Sequence, residues 1–398
     1  MKRIPATLLV SAVLFACKAA DHGTAAVISD SAGIRIVTNT RPTWSPDSAW
    51  TVDSLPLVVY GRETEDSVSM LMNPIGAVRL SDGRVVVGDR GSKSLKVFAP
   101  TGVFDRSIGR EGDGPGEFRY LARLHGCNAD SVFVDDIARH VFSVIGPDGT
   151  VARTFVLQTA EPGQPAYQLT CNRQGDFLTS GWGSMRPKNM EPYRPDVPVA
   201  LAGPDGKVGP TLGRFPGTEM MPVSGGRGAG PRRMGRWLHL AMAREMAWVA
   251  ANQNADLLGF TGAGTLSMIV RTTAASRPVT KADLEWYRKS VLDSTTAGRA
   301  EMMKKALDEM IPPGNLPPVT ALLADSDDYL WVQQYPEPGQ ARARWDVYRP
   351  DGVLLGAVSM APGLSPVEIG PDYVLGLATA EDGSRWVQLH RLRRIGAP

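Results

Sequence analysis

The chain has 398 residues, of which 42 are glycine, 31 are proline and 43% are hydrophobic. That is enough apolar material for a sizeable core, which argues against wholesale disorder, and the glycine and proline content fits many short strands joined by turns. Charge is nearly balanced, 43 basic against 41 acidic residues, so there is no general electrostatic reason to bind nucleic acid or an anionic membrane.

The first segment reads as a targeting sequence. Lys2 and Arg3 precede an apolar run from Ala6 to Ala16, too short to span a bilayer as a stable helix. Its end, Leu14-Phe15-Ala16-Cys17, resembles the bacterial lipobox, in which a cysteine is diacylated and becomes the new N-terminus. The resemblance implies a lipoprotein-type signal peptide over 1–16, lipidation of Cys17, and an exported protein anchored in the cell envelope, on the periplasmic face or the cell surface. The other reading is an ordinary secretory leader cut near Ala19-Ala20. Residues 17–30 read as a tether, and no later stretch reaches the ~18 apolar residues of a membrane span.

Over 31–398 turn signals recur in two alternating kinds between β-branched or apolar runs. The first kind includes Ser81-Asp82-Gly83, Asn128-Ala129-Asp130, Arg173-Gln174-Gly175, a degenerate Arg244-Glu245, Asp325-Ser326-Asp327 and Pro371-Asp372. The second includes Pro100-Thr101-Gly102, Pro147-Asp148-Gly149, Pro204-Asp205-Gly206, Gly262-Ala263-Gly264 and Pro350-Asp351-Gly352. Such a period, with four strands per unit, predicts an all-β, six-bladed β-propeller. The sixth unit lacks its second turn. Its outermost strand is therefore expected from the N-terminal segment Leu57 to Arg62, which closes the ring and removes a free sheet edge.

Between the fourth and fifth units, about 280–312, the pattern turns helical. Thr280 with Asp283 forms a capping box, and Leu284, Tyr287 and Val291 follow at helical spacing. A second helix after Gly298 carries Met303, Leu307 and Met310 and stops at Pro312-Pro313. The insertion reads either as a lid or as a helical pair packed on the rim.

The first unit contains Ser81 to Gly91 (SDGRVVVGDRG), then Leu95-Lys96-Val97-Phe98, then Gly109 to Phe118 (GREGDGPGEF). This resembles the NHL-like repeat of bacterial six-bladed propeller lipoproteins. Zinc-dependent peptidyl-hydroxyglycine lyases share such repeats and place a histidine soon after this element. Leu121 and Ala122 stand there instead, so the resemblance does not carry a zinc site. Six-bladed lactonases bind calcium near the axis with oxygen ligands, and Asp89, Asp135, Asp136 and Asn252 are the candidates for that alternative; Asp and Asn are also the ordinary residues of strand-end turns, and no cofactor is expected.

No Walker loop, G-x-S-x-G elbow or H-E-x-x-H is present, and no catalytic residue is assigned. Cys127 and Cys171 end the innermost strands of adjacent units. They read as a disulfide, permitted by export, or as two buried thiols.

In this fold the long excursions share one face: 110–117, 183–196, 215–236 and 278–318. Arg186, Arg194, Arg227, Arg232, Arg233 and Arg236, with Trp237, make that face a candidate site for an acidic peptide or anionic glycan. The plainer alternative is a solvated basic loop. The leading function is an envelope binding or scaffold module for a protein, peptide or glycan, monomeric, touching the membrane only through its lipid and nucleic acid not at all. The alternative is a metal-dependent hydrolase or lyase.

Overall fold

The computed structural model describes residues 24–62, 68–128, 130–164, 166–183, 189–222, 228–295, 297–380 and 382–395. The segment 1–16 read as a signal peptide, Cys17, Arg186 and Arg227 lie outside these residues.

The chain folds as a six-bladed β-propeller. Blade one runs from the innermost strand A, Pro74–Arg79, through Val85–Asp89 and Ser94–Phe98 to the outermost strand D, Phe104–Ile108. Every blade repeats this antiparallel meander, and each A strand lies where the sequence repeat places it. Strands B and C of blade one are buried along their whole length, whereas strand D alternates between half-buried and exposed. A sheet stacked on both sides needs apolar residues on both faces, which is why the inner strands read as continuous runs.

The buried apolar side chains form six clusters among the described residues, one at each junction between blades. At the first junction, Val78 and Leu80 of blade one meet Leu121, Leu124 and Val132 of blade two. Phe118, from the GREGDGPGEF element, is fully buried there. The chain reaches that place by doubling back, with Arg110–Glu111 pairing in parallel with Glu117–Phe118. Gly109 has φ +81°, and a Cβ on it would lie 2.4 Å from the Phe118 ring and 2.6 Å from the Gly116 carbonyl oxygen. Only glycine fits that reversal.

Blade six supplies Leu364–Ile369, Tyr373–Thr379 and Arg385–Arg393, and its outer strand is Val58–Tyr60 from the N-terminal side. The disulfide joins Cys127 to Cys171 across the A strands of blades two and three, with Cα atoms 5.4 Å apart.

The tether expected over 17–30 requires correction from Ala26 onward. Ala26–Ser31 is a strand, turning at Ala32-Gly33 into Ile34–Asn39, which adds in parallel to the outer edge of blade four. Blade four therefore has six strands. Asn39 also ties this hairpin to blade five, donating to the Gly352 carbonyl at 3.0 Å and accepting from the Leu354 N–H at 2.7 Å.

The insertion folds into α1 (Lys281–Asp293) and α2 (Ala300–Asp308). Thr280 and Asp283 form the capping box, and Asp283 also receives both ends of the Arg277 guanidinium at 2.7 and 2.8 Å. No described helix is long and apolar enough to cross a membrane.

Candidate functional site

A–B and C–D turns occupy one face of the propeller; the B–C loops and blade connections occupy the other. On the loop face, a pocket of about 390 Å³ opens where the A strands of blades four and five begin. Its wall includes Trp237, His239, Tyr287, Val319, Thr320 and Tyr335. Trp237 and His239 stand at the entry to blade four and Thr320 at the entry to blade five. Tyr335 follows the B strand of blade five, Leu330–Gln334, and Tyr287 comes from α1.

No Asp, Glu, Lys or Arg lines this pocket. Burial pulls the His239 pKa down to about 4, so its imidazole is neutral at neutral pH. Burial likewise pushes the Tyr335 phenol above its ordinary range, and it too stays neutral. The Thr320 hydroxyl is already spent on the Gln333 and Gln334 carbonyls.

Trp237 belongs to a series of near-parallel rings. Tyr167 stacks on Trp182 with centroids 3.6 Å apart, and on Trp237 at 6.4 Å with a 26° interplanar angle. Trp182 and Trp237 bracket long loops in the sequence, and the fold brings both onto Tyr167.

The described arginines of the candidate anion site have partners within the fold. Arg232 forms an ion pair with Glu219, its side chain only 13% exposed, and donates to the Pro312 carbonyl at 2.7 Å and the Ile311 carbonyl at 3.3 Å. Arg233 reaches the Met303 sulfur of α2. Arg194 donates to the carbonyls of Gly217 and Ala251, and burial next to Arg236 pulls its pKa down to about 10. The Arg236 side-chain Nε is buried without a partner, while its backbone N–H donates to Glu219. Glu219 thus joins Arg232 and Arg236, and Arg232 and Arg233 fasten that stretch to the helical insertion. Partners 13 to 80 residues away made this invisible to local charge counting.

The candidate calcium ligands are each engaged in structural bonds. Asp89 accepts from the N–H groups of Met72 and Asn73, just before strand A of its own blade. Asp136 does the same with Arg119 and Tyr120. Asn252 donates to the carbonyls of Trp237 and Val319 and accepts from the Val319 N–H. Asp135 pairs with Arg123. The end of strand B therefore carries a repeated polar clamp on the chain entering strand A. Among the described residues, no three His, Cys, Asp or Glu side chains form a group able to hold a metal ion.

A second cleft, of about 530 Å³, lies between blades three and four on the short-turn face, near Leu201, Met242, Glu245 and Met246. It is walled by ordinary turns and strand ends, without the converging rings and hydroxyls of the loop-face pocket.

A family model described as "6-bladed beta-propeller" matches residues 56–134, from the closing strand into blade two. No curated protein sequence matches the chain. Similar solved structures include a Bacteroides fragilis protein considered exported, with 12% identity, 90% of this chain and 99% of that chain covered, and a TM-score of 0.48. Virginiamycin B lyase from Staphylococcus aureus is 13% identical over 86% of this chain and 99% of its own, with a TM-score of 0.40. A gluconolactonase from Xanthomonas campestris is 12% identical over 81% and 87%, with a TM-score of 0.43.

Proposed function

We propose that this propeller is an exported, lipid-anchored binding module that takes its ligand at the loop-face pocket. The observation that carries the reading is the convergence of Trp237, Tyr287 and Tyr335 with His239 on one concave site between blades four and five and the helical insertion. Concave, largely apolar sites with a few placed polar groups are where proteins hold small ligands or protruding parts of larger ones. A rigid ring of blades with long loops on one face suits that task. The ligand is a glycan, peptide or protein segment small enough at its tip to enter. The anchor is the lipid on Cys17, from the lipobox-like leader.

The test is retention of solubilised native envelope material on immobilised protein, comparing wild type with Trp237→Ala. Loss of a specific retained component in the variant supports the reading. Identical retention by both removes the pocket as the site. Cys17→Ser should move the protein from the detergent fraction to the soluble one; equal partitioning would remove the anchor.

A further inference from the structure

Resting on the loop-face pocket as the ligand site, we infer that it takes a neutral sugar ring, stacked on Trp237 and hydrogen-bonded by the hydroxyls of Tyr287 and Tyr335. Three observations lead there. First, Trp237 lies near-parallel to Tyr167 at 6.4 Å, and Tyr167 is itself stacked on Trp182, so the indole sits beside an ordered aromatic pair before any ligand arrives. It is still 37% exposed and lines the pocket. A pre-set ring face costs little ordering on binding.

Second, the half-buried hydroxyls of Tyr287 and Tyr335 have no hydrogen-bond partner among the described residues, although the rest of both rings packs in the wall. Donors left open at the rim of an apolar wall mark the directions from which a polar ligand is read. Third, the lining holds no charged side chain, and His239 is neutral.

These features discriminate among ligand chemistries. A phosphate or carboxylate would leave water for a wall with no cation of its own, at a heavy desolvation cost, since the nearby Arg277 is paired with Asp283 and Arg194 is bonded to the Gly217 and Ala251 carbonyls. A purely aromatic ligand would fill the ring face and leave both tyrosine hydroxyls unpaired. A sugar ring presents an apolar C–H face to the indole and a rim of hydroxyls to the phenols, which matches both halves of the wall. Arg232 and Arg233 take part only by fastening α2 and the chain after it, with α1 tied to α2 by the Arg288–Asp308 ion pair.

The experiment titrates the full chain in detergent with cellotriose, mannotriose and chitotriose, and in parallel with trigalacturonate and the peptide Gly-Trp-Gly. Calorimetry and tryptophan fluorescence are the readouts. At least one neutral sugar is expected to bind saturably. Trp237→Ala should weaken it by about tenfold or more. Tyr335→Phe, which keeps the ring and removes one hydroxyl, should weaken it about threefold to tenfold with folding unchanged. Tyr335→Phe also stands as the informative variant should Trp237→Ala fail to fold. Trp237-dependent binding of the peptide or of trigalacturonate, with none of the neutral sugars, overturns the sugar assignment and leaves the pocket standing. Sugar binding unaffected by Tyr335→Phe, or no binding of any probe, overturns the inference; sugar binding unaffected by both substitutions also removes the pocket.

Discussion

Tyr60 lies directly across from Val387, so the outer strand of the last blade comes from the opposite end of the described chain. Tyr60 is fully buried and meets Phe98 of blade one edge-on at 5.8 Å, which joins the closing strand to two blades at once. Removing residues up to Arg62 should bare the Arg385–Arg393 edge and produce aggregation or a large loss of stability. Tyr60→Ala should cost about 3–5 kcal/mol in urea unfolding. The Tyr60 hydroxyl has no partner among the described residues, so Tyr60→Phe should be nearly neutral. A truncated protein that stays monomeric and melts unchanged would refute closure by this strand.

The Cys127–Cys171 bridge closes a separation of 44 residues. In the chain-entropy account, a loop of that size is worth up to about 4 kcal/mol through the unfolded state. Cys127→Ala with Cys171→Ala should lower the unfolding midpoint accordingly, and mass spectrometry of unreduced, alkylated protein should show no label on either residue. Two labelled thiols in the unreduced, unfolded wild type would contradict the bridge.

The blades were legible because turn chemistry is local. Asp-Gly and Pro-x-Gly tetrads announce hairpins without reference to the rest of the chain, and the missing sixth turn pointed to the closing strand. The Ala26–Ser31 strand was hidden because it buries almost nothing: its side chains are exposed, and it is held by backbone pairing to Ile34–Asn39. The partners of Arg232 were hidden for the reverse reason, since its charge is local but Glu219 and Pro312 are not. Tyr335 was missed altogether. A single tyrosine after a strand carries no pattern, and only the fold shows that this position faces the same mouth as Trp237 and Tyr287.

Acid should destabilise the protein through His125. Burial, with Arg123 beside it, pulls its pKa down to about 3, and its Nε2 is buried without a partner. An unfolded-state histidine titrates near 6.5. The folded pKa is the lower one, so the unfolded chain takes up a proton as pH falls from 6.5 toward 3 while the folded chain does not. Stability is fully present above pH 6.5 and declines through that window by up to about 1.4 kcal/mol per pH unit. Burial raises the pKa of Glu368 and Asp325, which opposes this trend in their own range, so the measurement is a difference. His125→Leu should flatten the dependence between pH 6.5 and 4 relative to wild type. Parallel curves would show that His125 is not the cause.

Arg232 should act on stability and on the shape of the pocket rather than on a bound anion. Its guanidinium joins Glu219 to the Ile311 and Pro312 carbonyls, so one side chain ties the loop before blade four to the end of the helical insertion. With both side chains of the ion pair under 15% exposed, Arg232→Met leaves the Glu219 carboxylate without its main partner, a change expected to cost about 3 kcal/mol. Glu219→Gln should cost less, and the two substitutions together should cost less than their sum, because they remove one interaction. Arg233→Met loses only a contact to a methionine sulfur and should lie within about 0.5 kcal/mol of wild type. Because α1 carries Tyr287, Arg232→Met should also raise hydrogen exchange across α1 and α2 before global unfolding. If Arg232→Met leaves stability and exchange unchanged and instead removes a salt-sensitive binding activity, the guanidinium faces an anion after all, and the fastening role assigned to it is wrong.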